Sequence, residues 1–259
     1  HPMVNRNGHW ITEFGGKRYM VYKYAGTAEQ VSVSHGQKLA QFHQQNYAYP
    51  FEPNYISSYG KWKSLWIDKL TSFEQEINEL EHLHVTYHRL ALDMLPYIIG
   101  ISENAIQYLD ESIRFATYHE SDQGTITFQR YDQQILKPII WPEELMYDHP
   151  MRDVAELIRK ILWLSEQGVL ECYQFLQDYH QVNPLSQLSW RLLYARLIFP
   201  IHFFDVFAEI FKQVDIEDSG QQLSILIHKQ PMYEQRLREL FKQFEFKDED
   251  PALPMIEWI

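Results

Sequence analysis

Tyr147-Asp148-His149-Pro150-Met151-Arg152-Asp153-Val154-Ala155-Glu156 is where the chain changes character. Downstream of Pro150 every apolar pattern has a helical period, over residues 154–164, 169–179, 188–199, 201–211, 223–227 and 233–244. Asp153 falls at the start of the first of these helices. A carboxylate there accepts backbone N–H groups and suits the helix dipole, so a structural role is expected of it rather than a catalytic one.

Upstream, two short runs read as strands that pair with each other: Gly124-Thr125-Ile126-Thr127-Phe128 and Ile135-Leu136-Lys137-Pro138-Ile139-Ile140. Before them a helix is expected after Ser102. A longer one begins at Trp66, where Leu70, Phe73, Ile77, Leu80, His84 and Tyr87 recur at steps of four and three and draw one apolar seam. Ser34 is a predicted N-cap, with Leu39, Phe42 and His43 at helical spacing beyond it and a loop at Pro50 and Pro53. At the beginning of the chain Trp10-Ile11-Thr12-Glu13-Phe14 and Arg18-Tyr19-Met20-Val21-Tyr22 flank Gly15-Gly16, which predicts an antiparallel hairpin. The order is α+β with helix well above strand. The expected divisions are residues 1–26 (hairpin and connector), 27–247 (helical body) and 248–259, a tail marked by Asp248-Glu249-Asp250, Pro251 and Pro254.

Composition narrows the function. The 259 residues, 45% hydrophobic and 15% aromatic, suffice for a large core. A formal net charge of -12 with no basic patch argues against nucleic acid and anionic lipid as partners. The most apolar stretch, residues 192–211, is interrupted by Arg196, Pro200, His202, Asp205 and Glu209, so no membrane span is expected. The chain opens His1-Pro2 without a basic stretch leading into an apolar run, and no secretory signal is expected in it. Cys172 is the only cysteine, which excludes an internal disulfide and a cysteine zinc cluster.

Other motifs have plainer readings. His84 and His88 share a helix face near Glu81 and His82, but a His-Glu-x-x-His pattern is absent and His84 lies on the apolar seam; no metal is expected there. Cys172 and His180 stand eight residues apart on one predicted helix, more than two turns, too far for a nucleophile and its base. Gly-x-Ser-x-Gly, Gly-x-Gly-x-x-Gly and Walker loops do not occur.

Several segments together resemble the spore coat-associated, YutH-type members of the aminoglycoside phosphotransferase-like kinase fold. They are Gly16-Lys17-Arg18-Tyr19-Met20-Val21-Tyr22, Gly36-Gln37-Lys38-Leu39-Ala40-Gln41-Phe42-His43, Tyr59-Gly60-Lys61-Trp62-Lys63-Ser64-Leu65-Trp66, Arg191-Leu192-Leu193-Tyr194-Ala195-Arg196-Leu197-Ile198-Phe199-Pro200 and the opening stretch around Asp153. The resemblance implies the last strands of an N-terminal lobe, a hinge at Tyr22, Lys23 and Tyr24 where an adenine would be met, and a helical C-terminal lobe. Active relatives carry His-Gly-Asp followed by an asparagine, and a further metal-binding aspartate in an Ile-Asp-Phe strand. Laid on this chain, the aspartate becomes Arg130, the asparagine Ile135 and the metal aspartate Trp141. The phosphate-gripping lysine would belong to a strand preceding His1.

Phosphoryl transfer needs a carboxylate by the accepting hydroxyl and oxygen ligands for Mg²⁺. With those positions lost, the resemblance implies a kinase fold that does not catalyse, needs no cofactor and acts by contact with other spore coat proteins, in the spore coat after synthesis in the cytoplasm. The alternative is an ATP- and Mg²⁺-dependent small-molecule phosphotransferase with an unconventional carboxylate set, using Asp148 or Asp132 as base.

Overall fold

The computed structural model describes residues 2–22, 33–47, 49–50, 53, 55–80, 88–212 and 216–244. Its contacts divide the chain into two compact units, His1–Val33 and Ser34–Ile259.

In the first unit the predicted hairpin is present and shorter than expected: β2 (Thr12–Phe14) pairs antiparallel with β3 (Lys17–Tyr19), Glu13 opposite Arg18. Gly15 and Gly16 at its tip have φ of 59° and 73°, the left-handed pair that matches the twist of two-residue hairpins. β1 (Pro2–Met3) pairs with β4 (Val21–Tyr22). The Asn5 side chain organises the intervening loop by accepting from the backbone of Asn7 and His9.

The second unit opens on α1 (His35–Gln45), capped as predicted: Ser34 Oγ accepts from Gln37 N, and the Gln37 side chain accepts from Ser34 N. α2 (Trp62–Leu80) buries Trp62, Trp66, Leu70, Phe73 and Ile77, the predicted seam extended one turn towards the N-terminus. The seam's continuation at His84 and Tyr87 lies outside the described residues. α3 (His88–Arg114) begins well before Ser102 and runs through Pro96. Ser102 is therefore interior, not a cap, and its buried hydroxyl donates to Ile98 O one turn back.

One strand pairing differs from expectation. β5 (Thr125–Phe128) forms as predicted, but its partner is β6 (Leu145–Asp148), in register Thr125 to Asp148 and Phe128 to Leu145. Residues 135–140 are not a strand. Gln133 takes a left-handed conformation, φ 58°, a 3₁₀ turn follows at Gln134–Leu136, and Pro138 has no N–H to give a ladder.

After β6 the chain is helical, as expected: α4 (Met151–Leu164), α5 (Gly168–Val182), α6 (Gln187–Ile198), α7 (Ile201–Phe211) and α8 (Ile216–Lys242). The two segments expected at 223–227 and 233–244 are one helix that passes through Pro231, and the tail lies outside the described residues. α6 is buried on nearly every side and forms the centre of the core. Around it Trp66 stacks on Phe199, with ring centroids 4.3 Å apart, and Phe73 meets Phe204 and Phe207 edge-on.

Candidate functional site

β5 and the start of α4 carry the residues of interest. Phe128 ends β5, so Gln129 and Arg130 leave the sheet directly above α4. The first turn of α4 grips that exit. Asp153, fully buried, accepts the Phe128 N–H on both oxygens, at 3.0 and 3.1 Å. Its neighbour Arg152 donates to Phe128 O at 3.0 Å and to Gln129 O at 2.9 Å. A second partner of Asp153 is His43 Nε2 on α1, at 3.1 Å; His43 Nδ1 faces the Tyr179 hydroxyl of α5 at 2.8 Å. Burial raises the Asp153 carboxyl above its ordinary range, against the opposing pull of His43 and the Phe128 amide. Helix, strand and two further helices are thus joined through one carboxylate.

Asp148, at the end of β6, is equally engaged. It is fully buried and accepts from Ser58 Oγ at 2.5 Å, Trp62 Nε1 at 2.8 and 2.9 Å, Arg152 Nη1 at 3.0 Å and His149 N at 2.7 Å. Both of its oxygens are thus occupied by donors of the chain itself, at a position closed to solvent.

Arg130 is half exposed and ion-paired to Asp205 of α7 at 2.7 Å and to Glu156 of α4 at 3.4 Å. It stands at the mouth of a cleft of about 290 Å³ lined also by Asp132, Arg159, Lys160, Trp163 and His202. Asp132 pairs there with Lys160. Glu156 is held below the usual carboxylate range: its burial acts upwards and is outweighed by Arg159, Arg196 and Arg130. Asp205 is raised, because burial outweighs Arg130 and Lys69.

The other sequence-predicted positions fall elsewhere. Ile135 is in the 3₁₀ turn, partly buried against the core. Trp141 is half exposed at the N-cap of a second such turn, Pro142–Glu144, four residues before the strand and not in one. Tyr22 ends β4, while Lys23 and Tyr24 lie outside the described residues, as do Glu81, His82 and His84; His88 opens α3. Among the described residues no three His, Cys, Asp or Glu side chains converge as metal ligands. Cys172 is fully buried against Ile158 O, its thiol pushed up by desolvation, and His180 Nδ1 accepts from Leu185 N instead.

His43, Tyr179 and Glu156 were not singled out by sequence reasoning. Glu156 ends the quoted stretch, four residues before Lys160 on the same face of α4, and that spacing was the available signal.

This helical body, with its short strand pair clamped by the first turn of the following helix, has a kinase-like fold. The crystal structure of an aminoglycoside phosphotransferase from Alicyclobacillus acidocaldarius subsp. acidocaldarius DSM 446 shares the fold, with a TM-score of 0.66 and 14% identity over 93% of this chain and 76% of that one. Residues 1–240 match the family described as Spore coat putative kinase YutH. The Endospore coat-associated protein YutH of Bacillus subtilis (strain 168) is 32% identical over 270 residues, spanning 99% of this chain and 78% of that protein. The chain belongs to the YutH spore coat family and has a kinase-like fold.

Proposed function

We propose that this protein is a non-catalytic kinase fold of the bacterial spore coat that works through contacts with other coat proteins. The observation that carries the reading is Arg130: on the alignment that the resemblance implies it takes the place of the aspartate that would face an accepting hydroxyl, and its guanidinium is ion-paired to Asp205 and Glu156. A cation there repels Mg²⁺ and cannot take a proton.

Ile135 and Trp141 support the same reading, since neither side chain is a magnesium ligand. The carboxylates a rewired enzyme would need support it too, Asp148 being saturated with donors and Asp132 paired with Lys160. Asp153, one turn below, then serves stability. Placement in the coat rests on the family and on the name of the Bacillus subtilis relative.

The test is calorimetric titration with ATP, with and without Mg²⁺, alongside thermal unfolding. No heat and no thermal stabilisation are expected; magnesium-dependent binding of ATP overturns the reading in favour of a phosphotransferase.

A further inference from the structure

A second cavity lies apart from the Arg130 cleft and shares no lining residue with it. It measures about 110 Å³ and sits where the start of α2, the end of α3, the first half of α6 and the turn after β6 come together. Leu109, Ile113, Leu188 and Leu192 form its aliphatic side. Tyr59, Trp62 and His149 form the aromatic side, and Tyr118, 60% exposed, stands at the rim.

The aromatic wall is set in place by hydrogen bonds that use up its polar atoms. The Tyr59 hydroxyl donates to Asp122 O at 2.7 Å, and Trp62 Nε1 donates to the Asp148 carboxylate at 2.8 Å. His149 Nδ1 accepts from Met151 N at 3.2 Å, while its Nε2 is closed to solvent and lies 3.6 Å from Asp122 Oδ1. Asp122 is fixed in turn by the hydroxyls of Ser186 and Ser189. The rings therefore present carbon to the cavity, whose lining is mainly apolar. A water held in such a space needs two to four polar partners, and these walls offer few.

Charge excludes two classes of ligand. No Lys, Arg, Asp or Glu lines the cavity among the described residues, so an ionised ligand would shed water with no counter-charge in contact. A cation would gain from π faces, but the Trp62 ring already carries the Arg196 guanidinium, 4.5 Å from its centroid. Shape narrows the rest. The planes of Tyr59 and His149 are parallel within 4°, with centroids 6.5 Å apart, and Trp62 meets His149 edge-on at 6.0 Å. Rings so placed offer a flat partner both a face to stack on and an edge. An engineered apolar cavity of about 150 Å³ admits benzene. The present one is smaller but opens at Tyr118, where a substituent reaches water.

We infer that this cavity binds an uncharged aromatic molecule of a single ring, of the phenol class. The ring lies against Tyr59, Trp62 and His149, and its polar substituent points out past Tyr118. The inference is independent of the non-catalytic reading, since it uses none of Arg130, Ile135 and Trp141.

Ile113, partly buried in the cavity wall, reports on it. In a ¹H–¹³C methyl spectrum of the full chain, the δ1 resonance missing from Ile113→Val is followed through titrations with phenol, cyclohexanol, benzoate and benzylammonium at constant ionic strength. Saturable ring-current movement with phenol is expected, with a Kd on the order of 1 mM for so small a ligand. Cyclohexanol, alike in size but not flat, should bind at least about threefold more weakly, and the two ions at least about tenfold more weakly. Ile113→Trp sets an indole into the cavity and should abolish the phenol response of the neighbouring leucine methyls; should that variant fail to fold, the wild-type titration decides alone. An Ile113 methyl that stays still with phenol, or that is saturated as readily by cyclohexanol or benzoate, overturns the inference. A phenol response that survives Ile113→Trp overturns it too.

Discussion

Asp153 receives the backbone N–H of Phe128 on both carboxylate oxygens, across 25 residues of sequence. Arg152 beside it takes the carbonyls of Phe128 and Gln129, so two consecutive side chains hold both polarities of one strand end. The position of Arg130 follows from that grip, because only Gln129 separates it from the clamped peptide.

Removing the clamp is therefore costly. Asp153→Ala strands the Phe128 amide and the His43 ring in a dry interior, with an expected loss of about 3–5 kcal/mol. Asp153→Asn keeps one acceptor and loses about 1–2 kcal/mol. Urea unfolding of the two variants checks the order, and equal losses would mean that the amide of Phe128 finds another partner.

Gly36 lies where α1 meets α5, and a Cβ built on it would stand 2.4 Å from Phe175 O and 3.0 Å from Asp178 Cβ. The first of these is backbone and cannot swing aside. Gly36→Ala is expected to cost about 2–3 kcal/mol by forcing the helices apart, against a gain of under about 1 kcal/mol from helix propensity. A fall in Tm measured by calorimetry is the check.

Acid sensitivity has an identified source in Asp122. Its carboxyl is lowered from 3.8 to about 2: burial acts upwards and is outweighed by His149, Ser186, the His119 amide and Ser189. A depressed folded pKa means stability that is complete above about pH 4 and lost as the pH falls towards 2, worth about 1–2 kcal/mol after screening. Wild type should exceed Asp122→Asn in urea midpoint at neutral pH, and the difference should shrink below pH 4.

The Cys172 thiol, fully buried and shifted upwards, should resist a thiol reagent in the native state and react fully in denaturant. Rapid native labelling would show that α5 opens from the core.

What was legible in the sequence was local. The seam of α2, the Ser34 cap and the Gly15-Gly16 turn each announce themselves within a few residues, because periodicity, capping and left-handed φ are short-range properties. β6 was missed because Leu145-Met146-Tyr147-Asp148 is four residues without a β-branched side chain, while the strand-like 135–140 contains a proline that no ladder accepts. Pro96 and Pro231 hid the true lengths of α3 and α8, since tertiary packing supports helix through a proline that propensity alone would treat as a break. Asp153 was placed correctly at the start of α4, but not its partners: the amide it holds belongs to β5 and the imidazole to α1, pairings 25 and 110 residues away that no spacing encodes.

The alignment of Arg130 with the catalytic aspartate of active relatives, and of Trp141 with their metal-binding aspartate, makes a last prediction. Arg130→Asp removes the guanidinium that neutralises Asp205 and Glu156 and sets a third carboxylate near them. Trp141→Asp supplies the oxygen ligand expected from the other position. Oxygen ligands of this kind select magnesium or calcium, although Arg159 and Arg196 stay beside Glu156 and hold the affinity in the millimolar range. The double variant should be less stable than wild type without metal, and should recover about 1.4 kcal/mol at a magnesium concentration about tenfold above its Kd. Wild type should show no such recovery. A folded double variant whose Tm ignores Mg²⁺ would mean that positions 130 and 141 do not face a common site, and would count against their alignment with the aspartates of active relatives.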